Sequence, residues 1–276
     1  MSFVINTNVN SLLAQNYLTD NQAKLSQALQ RLSSGSRINN AADDPAGLAI
    51  STSMLNTSNS LRQGARNGND GISLVQTAQS AMNDISNLLG QMTTLATQAS
   101  TGTYSSTQLN NLDTQFGKLL SEIGRVAATT SFNGVNLLDG STGSVSIQVG
   151  SNNTSNDRLS ITLNNLTTGS SGLSISSLVL TSQSGAQSAL STLNGITAVT
   201  TGLATLGASE TNLTAAVAVD NSIATSLDAA KSRIFDADFA AESSNQAKYN
   251  ILTQASIAML AQANAVPNMV MQLLKG

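Results

Sequence analysis

Apolar residues at alternating three- and four-residue steps recur in separate parts of this chain. They hold register over several heptads, a pattern that long packed helices satisfy and strands do not. The first series runs Val75, Ala78, Met82, Ile85, Leu89, Met92, Ala96, Ala99, and a second runs Leu109, Leu112, Phe116, Leu119, Ile123, Val126. A third runs Leu213, Ala216, Ile223, Leu227, Ala230, Ile234, with Asp220 as a polar intruder. Three helices with one stripe each imply a small bundle. The chain ends carry stripes of their own. Leu18, Leu25 and Leu32 are spaced by sevens with Leu29 between them, and Leu252, Met259, Ala263, Val266, Val270 and Leu273 mark the other end. Pro267 inside that last stripe removes a backbone donor and should kink the helix or require local repair.

Helix ends are written in the sequence too. Ser33-Ser34-Gly35-Ser36 offers a glycine C-cap, and Asp43-Asp44-Pro45 offers a carboxylate N-cap before a first-turn proline, so residues 33–44 read as a linker. Asn69-Asp70-Gly71 reads as a pause before Ile72. Farther on, from Phe132 to about Ser184, the period changes. Val145, Ile147, Val149 and then Leu159, Ile161, Leu163 alternate about a run of turn formers, which predicts a β-hairpin. Leu173, Ile175, Leu178 and Leu180 are expected to add a further strand. No charged residue occurs between Arg158 and Glu210, which suits either a neutral solvated surface or one that is packed or modified.

Composition removes whole classes of chemistry. The 276 residues include no Cys, His or Trp, and 10% are charged. Thiol nucleophiles, disulfides, imidazole acid–base catalysis and Cys/His zinc sites are therefore excluded. Ser and Thr are plentiful but have no evident base, and the pairs Asp43/Asp44 and Asp236/Asp238 are explained by helix capping and solvated loops. We expect no catalytic residue, no cofactor and no metal site. A net charge of −3 gives no basic footprint for nucleic acid. The amides and proline between Lys248 and Lys275 argue against membrane insertion. Met1–Asn6 carries neither a basic nor a long apolar region, so a cleaved secretory signal is not expected.

Several motifs in fixed order complete the reading. They are Val4-Ile5-Asn6-Thr7-Asn8, Arg31-Leu32-Ser33-Ser34-Gly35-Ser36-Arg37-Ile38-Asn39, Ala42-Asp43-Asp44-Pro45-Ala46-Gly47 and Arg66-Asn67-Gly68-Asn69-Asp70-Gly71-Ile72-Ser73. Phe132-Asn133-Gly134-Val135, Ser232-Arg233-Ile234-Phe235-Asp236-Ala237-Asp238 and Leu260-Ala261-Gln262-Ala263-Asn264-Ala265-Val266-Pro267 follow. With these, the chain resembles bacterial flagellin over nearly its whole length, in a short form without the outer variable domains.

The resemblance implies a mainly α fold: a long-helix, coiled-coil-like bundle with a small β-hairpin region, forming a discontinuous two-domain subunit of a helical filament. Residues 1–42 with 236–276 would form an inner terminal-helix domain, and 43–235 the helical bundle with its hairpin. The implied role is a structural subunit of the flagellar filament that transmits motor torque, and a hook–filament junction protein is the alternative. Implied partners are further copies of the chain, the type III export apparatus, a flagellin chaperone, the filament cap and hook-associated proteins, with an extracellular location. Physical reasoning agrees, because a lone pair of one-sided helices buries too little surface to be stable, and neighbouring subunits supply the rest through a repeated, non-closing interface. Leu18, Leu25, Leu29, Leu32, Leu252, Met259, Ala263, Val266, Val270 and Leu273 are the candidate self-assembly residues. In flagellins that activate Toll-like receptor 5, an arginine and two glutamates anchor the complex. The matching positions here are Gln91, Thr94 and Gln115, which implies weak or no binding to that receptor.

Overall fold

Asp44 starts the longest helix of the chain: its Oδ1 accepts the Gly47 N–H at 2.8 Å, and Pro45 occupies the first helical position, where no donor is needed. The computed structural model describes residues 7–194 and 196–275, with side chains as far as Ala265. Its helices are α1 (Val9–Ser34), α2 (Pro45–Ala99), α3 (Ser106–Thr129), α4 (Gln183–Asn194), α5 (Ala198–Phe235) and α6 (Phe239–Lys275). Between α3 and α4 lie β1 (Ser131–Phe132), β2 (Val135–Asn136), β3 (Ser144–Gln148) and β4 (Arg158–Thr162). The chain divides into two compact units, Met1–Asn56 with Ser226–Gly276, and Thr57–Thr225.

In the second unit the stripes of α2 and α3 do what their spacing predicts. Val75, Ala78, Met82, Ile85, Met92, Ala96 and Ala99 are buried, as are Leu109, Phe116 and Ile123, while Leu89, Leu112, Leu119 and Val126 pack partly buried against them. Ser105 and Gln108 form a reciprocal capping box at the start of α3, which satisfies two otherwise orphaned donors. The predicted hairpin is present as β3–β4, antiparallel with Val145 opposite Ile161 and Ile147 opposite Leu159. A smaller hairpin, β1–β2, turns on Asn133 and Gly134, both at positive φ.

Three expectations need correction. Asn69-Asp70-Gly71 does not pause the helix, since α2 runs unbroken through it. Glycine serves there as a seat instead. A Cβ on Gly64 would overlap Val149 O, and one on Gly71 would crowd Ile147 and Leu213 at 3.1 and 3.3 Å. Close approach of hairpin and α5 to α2 outweighs the helix propensity lost at these glycines. Second, Leu173–Leu180 forms no strand. Its backbone folds onto residues 167–169, with Leu173 N–H donating to Thr167 O at 2.7 Å and Ile175 N–H to Thr168 O at 3.0 Å. Leu180 N–H donates to Asp113 Oδ1 at 2.6 Å, anchoring the loop on α3. Leu173, Ile175 and Leu180 are buried as core plugs, so alternation arose from a loop lying on a core. Third, the stripe of α5 is Val199, Gly202, Leu206, Leu213, Asp220 and Ala224. Asp220 is a buried member of it, and Ile223 is 44% exposed. Helix α6 continues through Pro267 to Lys275.

Candidate assembly surface

The first unit is organised by α1 and α6, which run antiparallel. Asn8 both caps α1, accepting Ser11 N–H at 3.1 Å, and donates to Ala263 O at 2.8 Å. Ser11 Oγ donates to Asn264 Oδ1 at 2.7 Å, and Asn21 Nδ2 donates to Ser256 Oγ at 3.1 Å. Near the other end Arg31 forms an ion pair with Glu242 at 3.0 Å. Gly35, left-handed at φ 69°, closes α1, and the strand-like exchange of Arg37 N–H to Phe235 O at 2.7 Å and Ala237 N–H to Gly35 O at 2.9 Å ties the linker to the start of α6.

The seam between these helices mixes small and polar groups with the leucines Leu18, Leu25, Leu32 and Leu260. On α1 it follows Ser11, Ala14, Leu18, Asn21, Leu25, Ala28 and Leu32. On α6 it follows Glu242, Gln246, Tyr249, Thr253, Ser256, Leu260 and Ala263, all buried or half-buried at alternating three- and four-residue steps. Lys24 and Lys248 both lie over the Tyr249 ring, at 5.9 and 5.7 Å from its centroid. Other large apolar residues point elsewhere. Val9, Leu12, Leu13, Tyr17 and Leu29 of α1 and Ile251, Leu252, Ile257 and Met259 of α6 are exposed, with Val9 at 64% and Ile251 at 66%. Such a density of exposed apolar side chains is what an interaction surface presents.

Of the sequence-derived assembly residues, Leu18, Leu25, Leu32 and Ala263 therefore lie on the α1–α6 seam. Leu29, Leu252 and Met259 face outward. Val266, Val270 and Leu273 lie outside the described residues as far as side chains go. Sequence reasoning missed Glu242 as the partner of Arg31, because the two are 211 positions apart and only the helix register brings them together. Asp43 accepts the Asn40 and Asn39 backbone N–H groups, each at 3.0 Å. Those bonds, Asn40 foremost, hold its carboxyl below the usual carboxylate range. In the bundle unit, Gln91 and Thr94 of α2 and Gln115 of α3 come together with Leu95, Lys118 and Leu119 around an open groove of about 480 Å³.

Comparison with known proteins decides what this surface belongs to. The family model of the bacterial flagellin N-terminal helical region matches residues 5–143, and that of the bacterial flagellin C-terminal helical region matches residues 181–274. The chain belongs to the flagellin family. It is 39% identical to a flagellin of Listeria monocytogenes over 98% of this chain and 99% of that one. A flagellin of Halalkalibacterium halodurans is 38% identical over 99% of this chain and 100% of its own length. A crystal structure of Bacillus cereus flagellin is similar over 59% of this chain and 85% of that one, with 27% identity and a TM-score of 0.41.

Membership and full-length coverage make this a short flagellin, a structural subunit that polymerises into the extracellular filament of the flagellum. Nothing in these likenesses favours the hook–filament junction reading. Flagellins are structural proteins rather than enzymes. No helix among the described residues is long and apolar enough to cross a membrane.

Proposed function

We propose that the α1–α6 pair is the polymerising element of this flagellin, with residues 1–42 and 236–276 forming the inner wall of the filament and 43–235 the surrounding bundle. One observation carries the reading: besides a seam that mixes leucines with small and polar residues, the pair leaves a second set of large apolar residues outward. A fully buried Leu, Ile or Met contributes roughly 1.5–3 kcal/mol, so Leu29, Leu252 and Met259, with their exposed neighbours, supply a strong contact once a second subunit covers them. Leu18, Leu25, Leu32 and Ala263 hold the pair in register, and Val266, Val270 and Leu273 extend the contact toward the end of α6. Transmission of motor torque follows from the continuity of this inner wall.

Before assembly the terminal helices remain available to other partners. The subunit is exported uncleaved by the flagellar type III apparatus, with a chaperone on the C-terminal helix, and meets the filament cap and hook-associated proteins at the ends of the polymer. Deleting residues 253–276 should leave a soluble, helical bundle unit that sediments as monomer. Normal filaments from the truncated chain would sink this proposal.

A second expectation concerns the groove lined by Gln91, Thr94 and Gln115. Neutral amide and hydroxyl groups replace three charged anchors there, and each lost charge-assisted hydrogen bond costs about 1.5–3 kcal/mol. Toll-like receptor 5 should therefore respond weakly to the purified monomer. The double variant Gln91→Arg/Thr94→Glu should respond more strongly, and full activation by the unmodified chain would refute the expectation.

A further inference from the structure

Asp220 occupies a place on α5 that leucines hold one and two heptads earlier. Leu206 and Leu213 are 1% and 0% exposed, and Asp220 is 7% exposed. Its Oδ2 is buried with no hydrogen-bond partner.

Neighbouring contacts fix its level in the bundle. Leu213 lies against Gly71, Val217 against Gly68, and Ser58 Oγ reaches Ala224 O at 3.5 Å. Helix α5 thus runs antiparallel to α2, and Asp220, between Val217 and Ala224, falls at the level of Gly64. That is where the hairpin sits down on α2. Val149 O fills the space of the missing Gly64 Cβ, Asn67 Nδ2 donates to Gln148 O at 3.0 Å, and Val149 and Gly150 N–H both donate to Asp157 O, at 2.9 and 3.1 Å.

Among the described residues, the charge that bears on the carboxyl is that of Asp157. Asp157 on the hairpin bears the same charge. Arg158 on β4 is exposed and donates to Gln148 and Asn153. On α2, Arg66 is exposed and donates to Gln63 Oε1 at 2.6 Å, and Arg62 is exposed as well. Along α5, Asp220 is the only charged residue between Glu210 and Asp228.

We propose that Asp220 is a proton-operated catch for the β3–β4 hairpin: protonated, it keeps the hairpin seated on α2 and α5, and ionised, it loosens that seat. An ionised carboxylate here keeps one oxygen, Oδ2, out of water without a donor. The protonated acid carries no charge, so its burial costs less, and its hydroxyl becomes a donor. Burial first, and Asp157 second, raise the Asp220 carboxyl above its ordinary value of 3.8. For an acid raised in the folded state, the stabilising contribution is complete at low pH. It declines as pH rises from the ordinary value through the folded one, and above that the penalty is constant. The subunit thus carries a response of its hairpin to the acidity of its surroundings.

Hydrogen exchange of the full-length monomer tests this, read on peptides covering 144–163 at pH 3, below the ordinary value of 3.8, and at pH 8, and corrected for intrinsic exchange rates. In the unmodified chain, hairpin protection should fall about fivefold or more between the two pH values, the lower end of what an unsatisfied buried acceptor costs. Peptides covering α3 should not change. Asp220→Asn and Asp220→Leu should both abolish the pH dependence, and Asp220→Leu, which continues the Leu206 and Leu213 series, carries the test if the buried amide of the first variant disturbs folding. The proposal is overturned if the pH dependence persists in Asp220→Leu, if it spreads equally over α3, or if Asp220→Leu protects the hairpin less than aspartate does at pH 8.

Discussion

Two glycines on the same helix should respond to alanine with opposite signs. A Cβ on Gly90 has nothing within 4 Å, so Gly90→Ala gains the full helix-propensity difference, about 1 kcal/mol. A Cβ on Gly64 would overlap Val149 O and lie 2.7 Å from the Val149 carbonyl carbon and 3.2 Å from its Cα. The obstacle is backbone, which no rotamer change can move, so the hairpin must lift from α2 or α2 must bend. Overpacking of this kind costs typically about 1–3 kcal/mol and more where backbone shifts. Lifting the hairpin also stretches the Asn67–Gln148 bond, worth about 1 kcal/mol. Set against the same propensity gain, Gly64→Ala should be destabilising by roughly 1–3 kcal/mol. For a unit of this size each kcal/mol moves the melting midpoint by about 2–4 °C. Thermal unfolding of the monomer followed by circular dichroism should therefore place Gly90→Ala a few degrees above the unmodified chain and Gly64→Ala several degrees below it. A Gly64→Ala midpoint at or above the unmodified one would refute the close seat.

Other perturbations act on the terminal-helix unit. Glu242→Gln leaves the Arg31 guanidinium, whose Nε is already buried without a partner, facing a neutral amide. It should cost about 1–3 kcal/mol, read as faster hydrogen exchange confined to α1 and α6. Asp43 stabilises the linker above its ordinary value of 3.8, and because its folded value is lower, that contribution is lost as pH falls through and below 3.8. Asp43→Asn should flatten this acid limb in a pH titration of stability, and an unchanged limb would remove Asp43 as its source.

Much of this fold was legible because heptad spacing records which residues share a helix face. Val75–Ala99 and Leu109–Val126 are read correctly by that rule, as are the Asp44 and Gly35 caps, which act within four residues of themselves. What was not legible depends on a second segment. Gly71 resembles a helix break until the hairpin and Leu213 are known to lie on it, and Leu173–Leu180 resembles a strand because a loop on a core also alternates. Helix α4 passed unnoticed in a stretch rich in Ser, Gly and Thr, where Ala186, Ala189 and Leu193 carry the only burial signal. Asp220 looked like an interruption of its stripe because hydrophobicity cannot mark a buried carboxyl. In the terminal helices, Leu252 and Met259 announce an apolar face on α6, yet the residues that meet α1 are Glu242, Gln246, Tyr249, Thr253, Ser256, Leu260 and Ala263. Apolar periodicity finds Leu18, Leu25 and Leu32 on the α1 side of the seam but misses its polar members and the division between seam and outward face.

The central claim concerns that outward face. A helical reconstruction of filaments polymerised from this chain, at side-chain detail, tests it most directly. The predicted result is that Val9, Leu12, Leu13, Leu29, Ile251, Leu252, Ile257 and Met259 are buried against neighbouring subunits, with 1–42 and 236–276 lining the inside of the tube. Filaments in which these side chains face solvent, with subunits joined only through 43–235, would contradict it.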